Sequence, residues 1–216
     1  MGDVFLRRLS RWQADQYRDQ LADLHVTAYA EPHGHGGPEH GGPEHRGPGR
    51  GRSGLGGSGS EPRVEPFHSR DRFRERLAEH SARPGFDLVV ADAGGPVGCA
   101  YGYPLARDSA RWQGFLGPVP GDLEELTAAG RVFAVAELVV APRHRRQGIG
   151  RRLHDRLLSG SGAALAALVL APGDAHTPAA EAVRRAWGWQ RAGRVRPPAA
   201  GDVGDALEVF VRPLRR

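Results

Sequence analysis

Residues 31–63 set the first limit on what this chain can fold into. Of these 33 residues, 12 are Gly, 5 are Pro and 4 are His, and Leu55 is the only large aliphatic side chain. The unit Gly-Gly-Pro-Glu-His runs twice in tandem, at Gly36–His40 and Gly41–His45. So little apolar surface cannot offset the entropy of fixing a backbone, and the segment reads as a disordered Gly/His/Pro-rich insert. The spacing of its histidines fits no rigid metal site, so no metal is expected. Without the insert about 183 residues remain, enough for one domain. The chain is therefore read as a single domain over 1–216, interrupted at 31–63.

Composition removes whole classes of chemistry. The 30 basic residues are all Arg, against 25 acidic residues and a net charge of +5. Without Lys there is no P-loop lysine and no Schiff-base lysine. A lone Cys99 excludes intrachain disulfides and thiolate-rich metal sites and suits a reducing compartment. The longest apolar run, Ala163–Ala171, has nine residues, where a membrane span needs roughly 20. Asp3, Arg7, Arg8 and Arg11 surround a short apolar patch with no signal-peptide core. A soluble, cytoplasmic protein without a membrane partner is expected.

Hydrophobic periodicity gives the elements. Asp15 to Tyr29 reads as a helix with Leu21, Leu24, His25 and Ala28 on one stripe, and Arg70 to His80 as a second with Phe73 and Leu77 inward. Phe86–Ala93 and Pro96–Pro104, separated by Gly94-Gly95, read as a hairpin. Val132–Val140 and Ala163–Ala171 read as strands flanking a basic helix, Gly148–Ser159, whose Ile149, Leu153 and Leu157 face inward. Thr177-Pro178 and Gly188 bracket a helix from Pro178 to Trp187. Trp189–Val195 and Ala206–Val211 close the order as strands. Arg107 to Asp122, with Trp112 and Phe115, reads as irregular. This is a mixed α/β (α+β) order with one main sheet.

One segment carries chemistry. Glu137 to Asp155 is an apolar strand running into Pro142, an Arg-rich turn, and Gly148-Ile149-Gly150 opening a helix. Amides at a helix N-terminus lack internal partners, and the helix dipole adds positive potential there. The two glycines clear an approach for phosphate, and Arg143, Arg145, Arg146, Arg151 and Arg152 surround the turn. The pattern is a pyrophosphate cradle. It is neither a Walker A loop, which needs Gly-Lys-Ser/Thr, nor a dinucleotide fingerprint, whose third Gly position is Leu153.

What the turn does match is Arg/Gln-x-x-Gly-x-Gly/Ala after a strand, as Arg145-Arg146-Gln147-Gly148-Ile149-Gly150. Together with Val140-x-Pro142 before it and Ala182…Trp187-Gly188-Trp189 after it, the segment resembles the GNAT family of N-acetyltransferases. The resemblance implies a GNAT-like acyl-CoA N-acyltransferase fold with a central mixed, mostly antiparallel sheet flanked by helices. It implies acetyl-CoA as co-substrate and an amine-bearing acceptor, a small molecule or a protein. Acetyl-CoA would lie with its pyrophosphate on Arg145, Arg146, Gln147, Gly148, Ile149, Gly150 and Arg151. Its arm would pair with the backbone of Leu138 and Val140, with an N–H of Leu138 or Val139 facing the thioester oxygen. Glu137, the only ionisable residue in its strand, either serves as base or is structural, facing solvent or pairing with an Arg. A Tyr is common in this family four residues before the later Gly, and here that position is Arg184.

Tyr101 and Tyr103 either line the acceptor site or, as alternating strand residues more often do, pack in the core, and Trp112 and Phe115 either wall that site or cap the core. His154 and Cys99 read as structural. The alternatives are a GNAT-like acyl-CoA binder with little turnover, and a nucleic-acid-binding module using the Arg-rich helix. No aromatic residues interleave with those arginines, which weakens the second alternative. A homodimer is left open.

Overall fold

The computed structural model describes residues 3–30, 68–196 and 206–214. The expected insert at 31–63 lies outside the described residues. Arginine opens the fold in an unexpected way, because Phe5–Leu9 forms a strand, β1, at one edge of the sheet. Its Arg7 pairs with Asp92 at 2.7 Å and its Arg8 with Asp87 at 3.4 Å. Charged side chains are common on exposed edges, where they discourage pairing with another chain. They also hide the strand from an apolar-alternation reading.

Ser10 and Gln13 then form a reciprocal capping box, so a short helix α1 (Arg11–Gln16) precedes α2 (Arg18–Ala30). The single helix expected over 15–29 is therefore two, broken at Tyr17. Helix α3 (Arg70–Ser81) follows, capped by Ser69. Strands β2 (Asp87–Asp92) and β3 (Pro96–Pro104) form the expected hairpin, with Asp92 Oδ1 accepting from the amides of Gly94 and Gly95, each at 3.0 Å. The stretch expected to be irregular, Arg107 to Asp122, holds one 3-10 turn (Ala110–Trp112) and ends in a helix that the sequence reading did not name, α4 (Gly121–Ala128). Beyond it come β4 (Val132–Val140), α5 (Ile149–Leu158), β5 (Leu165–Leu170), a one-turn α6 (Pro172–Ala175), α7 (Pro178–Ala186), β6 (Gln190–Val195) and β7 (Leu207–Pro213).

The seven strands form one sheet in the order β1-β2-β3-β4-β5-β7-β6. Only β4 and β5 run parallel; every other pair is antiparallel. Alternation along the strands sorts two main cores. One, against α1–α3, holds Leu21, Phe73, Leu77, Cys99, Tyr101 and Val139. The other, against α5, holds Phe133, Val135, Ile149, Leu153, Leu157 and Phe210. A third cluster gathers Leu123 of α4 with Trp112, Tyr103 and Val209. Trp112 is buried and its indole N–H donates to Thr127 Oγ1 at 2.9 Å. Of the two roles expected for Trp112, capping the core is the one its contacts show.

Two features position the site. Ala136 is an extra residue in β4, since Tyr101 faces Glu137 and Gly102 faces Val135. A bulge of this kind bends its strand. Strand β5 pairs with β4 only from Val132 to Val135, after which Val169 and Leu170 pair with β7 alone. The sheet therefore parts at its centre beyond the bulge.

Candidate functional site

The turn from β4 into α5 is built from unusual backbone. Pro142–His144 makes one 3-10 turn, Arg146 has φ 61°, and Gly148 has φ 76° at the N-cap of α5. Arg146 is the only non-glycine among the described residues with positive φ. A Cβ on Gly148 would meet nothing within 4 Å. The left-handed conformation, and not crowding, is what calls for Gly here. The Gly148 carbonyl accepts the amide of Arg152 at 3.0 Å, but no side chain caps the helix. The first amides, from Ile149 to Arg151, are therefore left facing outward, as the dipole's positive end requires for an anion. Ile149 contributes its amide alone, because its side chain is in the core.

The arginines divide their work differently from the sequence expectation. Arg145 Nε donates to the Val140 carbonyl at 3.1 Å and its Nη2 to the Ala28 carbonyl at 2.5 Å, tying the turn to the end of α2. Arg151 pairs with Asp155 at 2.7 Å, and Arg152 donates to the Val4 carbonyl at 3.0 Å. Gln147 Nε2 donates to the Arg143 carbonyl at 3.2 Å. Of the five arginines around the turn, only Arg143 and Arg146 extend side chains without a protein partner among the described residues. The cradle is thus mainly backbone, and most of the guanidinium groups brace it.

Leading into the cradle, Ala136–Val140 has no strand partner on the side that β5 has left. The amide of Ala141 donates to Val97 of the β3 side at 2.9 Å. Because backbone groups alternate along a strand, Val139 also turns toward β3, and Leu138 and Val140 turn to the open edge. This corrects the expectation for Val139, whose amide is not available there; Leu138 is the residue with an outward N–H. The Val140 carbonyl, on the same edge, is the one taken by Arg145.

Glu137 faces the α2–α3 side. It is only 7% exposed, with Oε2 3.0 Å from His25 Nδ1 and 3.9 Å from a nitrogen of Arg76. His25 is fully buried, wedged between Tyr29 and Phe73, and neither ring nitrogen makes a well-formed hydrogen bond. Across the β3–β4 ladder the hydroxyl of Tyr101 is likewise buried without a partner among the described residues. Burial, reinforced by the Glu137 charge, raises the Tyr101 phenol well above its ordinary value. Polar groups this deep are almost always hydrogen-bonded, so the pocket around Glu137 has unused donor and acceptor capacity. The sequence placed His25 on a core stripe and missed that it meets Glu137. A His on an apolar helix face and a Glu in an apolar strand were the two halves of that signal.

Tyr103 packs in the third core cluster, and burial pushes the neighbouring His80 down to about 4. His154 and Cys99 are buried, as structural residues should be. Among the described residues no group of three or more His, Cys, Asp or Glu could hold a metal, and no helix is long and apolar enough to cross a membrane.

The model of the acetyltransferase (GNAT) family matches residues 58–188, more than half of the chain. The chain belongs to the GNAT acetyltransferase family. No curated protein sequence matches it. Solved structures show the same GNAT fold. An acetyltransferase from Thermus thermophilus is 16% identical with a TM-score of 0.53, over 99% of this chain and 100% of that one. The PaiA N-acetyltransferase of Thermoplasma acidophilum, in complex with coenzyme A, is 12% identical with a TM-score of 0.54, over 98% and 99%. A GNAT acetyltransferase from Staphylococcus aureus is 11% identical with a TM-score of 0.56, over 99% and 100%. The open edge of β4 after Val135 and the uncapped N-terminus of α5 are thus joined by a hydrogen-bonded turn that Arg145 fastens to the Val140 carbonyl.

Proposed function

We propose that this GNAT protein transfers an acyl group, acetyl foremost, from acetyl-CoA to an amine acceptor by direct attack on the thioester. The observation that carries the reading is the open edge of β4 leading into the uncapped N-terminus of α5. That run suits an acyl carrier with a pyrophosphate at one end and an amide-bearing arm at the other. Residues 146–151 would hold the phosphates through backbone amides, with Arg143 and Arg146 adding charge. Leu138 and Val140 would pair with the arm, and the Leu138 amide would donate to the thioester oxygen. Helix α7 leaves Ala179, Ala182, Val183 and Ala186 exposed on its apolar side, a surface an aliphatic arm would cover.

Acetyl-CoA supplies the activated acyl group. The chain's own task is to make the amine a nucleophile, which means taking its proton. Glu137 is the base, with His25 and Arg76 fixing its orientation. Arg184 stands where the family commonly has Tyr. A guanidinium does not give up its proton near neutral pH, so the departing thiolate is protonated by solvent.

Calorimetric titration with acetyl-CoA tests the reading. Saturable binding to the wild type is expected, with weak binding of ATP and loss of acetyl-CoA binding in Gly148→Trp. No binding of acetyl-CoA at millimolar concentration would overturn it. Glu137→Gln should leave acetyl-CoA affinity in place and lower turnover of an accepted amine by about a hundredfold or more, the usual contribution of a general base.

A further inference from the structure

Beneath α7 lies a cleft that the proposed transfer does not yet use. Its cavity of about 350 Å³ is bordered by His176, Glu181, Arg184, Arg185, Arg191 and Phe210. Charge is matched in one half of it. Arg191 holds Glu208 with two bonds, at 2.6 and 3.2 Å, and His176 lies 3.6 Å from both Glu208 and Glu181. In the other half it is not. Arg184 is only 7% exposed, yet among the described residues it has no carboxylate at ion-pair distance. Its guanidinium donates to the Ala175 carbonyl and lies 4.3 Å from the Phe210 ring centre. The side chain of Arg185, its exposed neighbour, has no partner among the described residues either.

A buried guanidinium without an anion is costly, because desolvation is met by little Coulombic gain. Burial holds the Arg184 pKa below its ordinary value, against the weaker attraction of Glu181 and Glu208. The ring face of Phe210 offsets part of that cost but supplies no counter-charge. An anion in the cleft would supply the direct ion pair that Arg184 lacks among the described residues. The fork of guanidinium N–H groups fits a carboxylate with two parallel bonds. Glu181 and Glu208 border the same space, so a singly charged carboxylate meets less repulsion there than a phosphate dianion.

We propose that Arg184 and Arg185 bind the carboxylate of the acceptor, so that the amines acetylated are amino acids or other amines bearing a carboxylate. This rests on the transferase reading above. Helix α6 links the two places. Its Ala175 carbonyl accepts from Arg184, and Asp174 lies 3.4 Å from His68, which stacks on Tyr29 beside His25 and Glu137. Helix α6 thus stands between the carboxylate site and the residues that surround the base, Tyr29 and His25.

The test uses the full chain with 15N-labelled arginine, titrated at constant ionic strength with β-alanine, β-alanine amide and inorganic phosphate. β-Alanine should shift the Arg184 side-chain resonance saturably, and its amide should not. By calorimetry, Arg184→Gln and the exposed Arg185→Gln should each weaken β-alanine binding about tenfold, or ~1.4 kcal/mol. An equal response to the amide, tighter binding of phosphate, or no response at millimolar β-alanine overturns the carboxylate assignment. Acetyl-CoA is titrated separately. If it binds while Arg184 stays silent, the carboxylate site alone fails; if it does not bind while Arg184 responds, the transferase reading fails and the anion site stands.

Discussion

Helices α5 and α7 lie on the same side of the sheet, and each is amphipathic, yet they pack in opposite senses. Helix α5 buries Ile149, Leu153, Leu157 and Leu158 and turns Arg151, Arg152 and Arg156 outward. Helix α7 leaves Ala182, Val183 and Ala186 exposed and buries Arg184. Their N-termini differ as well. Thr177 caps α7 through its hydroxyl, with Pro178 at the first position, whereas α5 starts at a left-handed Gly with no side-chain cap. A helix that is packed on its apolar face and open at its N-terminus can hold an anion without losing its place. A helix that is closed at its N-terminus and apolar on its outer face is arranged to be covered by something else.

The largest effect that would break this comparison is in the core. Leu153→Ala should cost about 3 kcal/mol, the middle of the range for a buried leucine. Val183→Ala should stay within about 0.5 kcal/mol, as for an exposed position. Urea denaturation of the two variants measures both. A similar cost for Val183→Ala would mean that α7 packs like α5 after all. Repeating the pair with saturating acetyl-CoA sharpens the point, because a covered apolar face should then make Val183→Ala more costly than in the free protein.

The contrast also marks what could be read in the sequence. Both helices were located almost to the residue, α5 by the apolar period of Ile149, Leu153 and Leu157 and α7 by Thr177-Pro178 and Gly188 at its ends. Periodicity did not say which stripe faces the sheet. That depends on the neighbours: β2–β4 offer α5 an apolar surface, whereas β6 and β7 offer α7 Arg191, Glu208 and Phe210. The turn into α5 was legible because Pro142, the arginine run and Gly148-Ile149-Gly150 stand between an apolar strand and an amphipathic helix. The division of the arginines was not, since Arg145 reaches Ala28, far away in sequence. Strand β1 was hidden by its arginines, and α4 by the glycines and prolines just before it. The His25–Glu137 contact joins two elements whose pairing only the sheet order supplies.

A smaller effect belongs to the cap. Thr177→Ala should cost about 1 kcal/mol, the usual loss for an N-cap hydroxyl, because the amide of Ala180 loses its acceptor at 3.2 Å. Helix α5 has no equivalent group to lose. Hydrogen exchange should therefore rise at the first amides of α7 alone, and a matching rise in α5 would show that the two N-termini are not independent.

The smallest effect at neutral pH is also the one that joins the two helices. His154 on α5 is buried against Trp187, and its Nε2 accepts the indole N–H of Trp189 at 3.2 Å. That bond leaves the ring proton on Nδ1, facing Asp155 at 3.0 Å. Burial holds the His154 pKa below the ordinary 6.5, and Arg212 works in the same direction against Asp155. Well above pH 6.5 the group is neutral in both folded and unfolded chains and contributes no pH dependence. Below it the unfolded chain takes up the proton first, so stability falls as the pH drops, until the folded value is passed. His80, held near 4 by burial, adds a slope of the same sign. The share due to His154 is the difference between the wild type and His154→Gln, whose amide oxygen can still accept from Trp189. Thermal melts followed by tryptophan fluorescence should show that difference growing between about pH 7 and pH 5, the range where an ordinary His titrates. A difference that stays constant with pH would mean that protonation of His154 does not loosen the junction between α5 and α7.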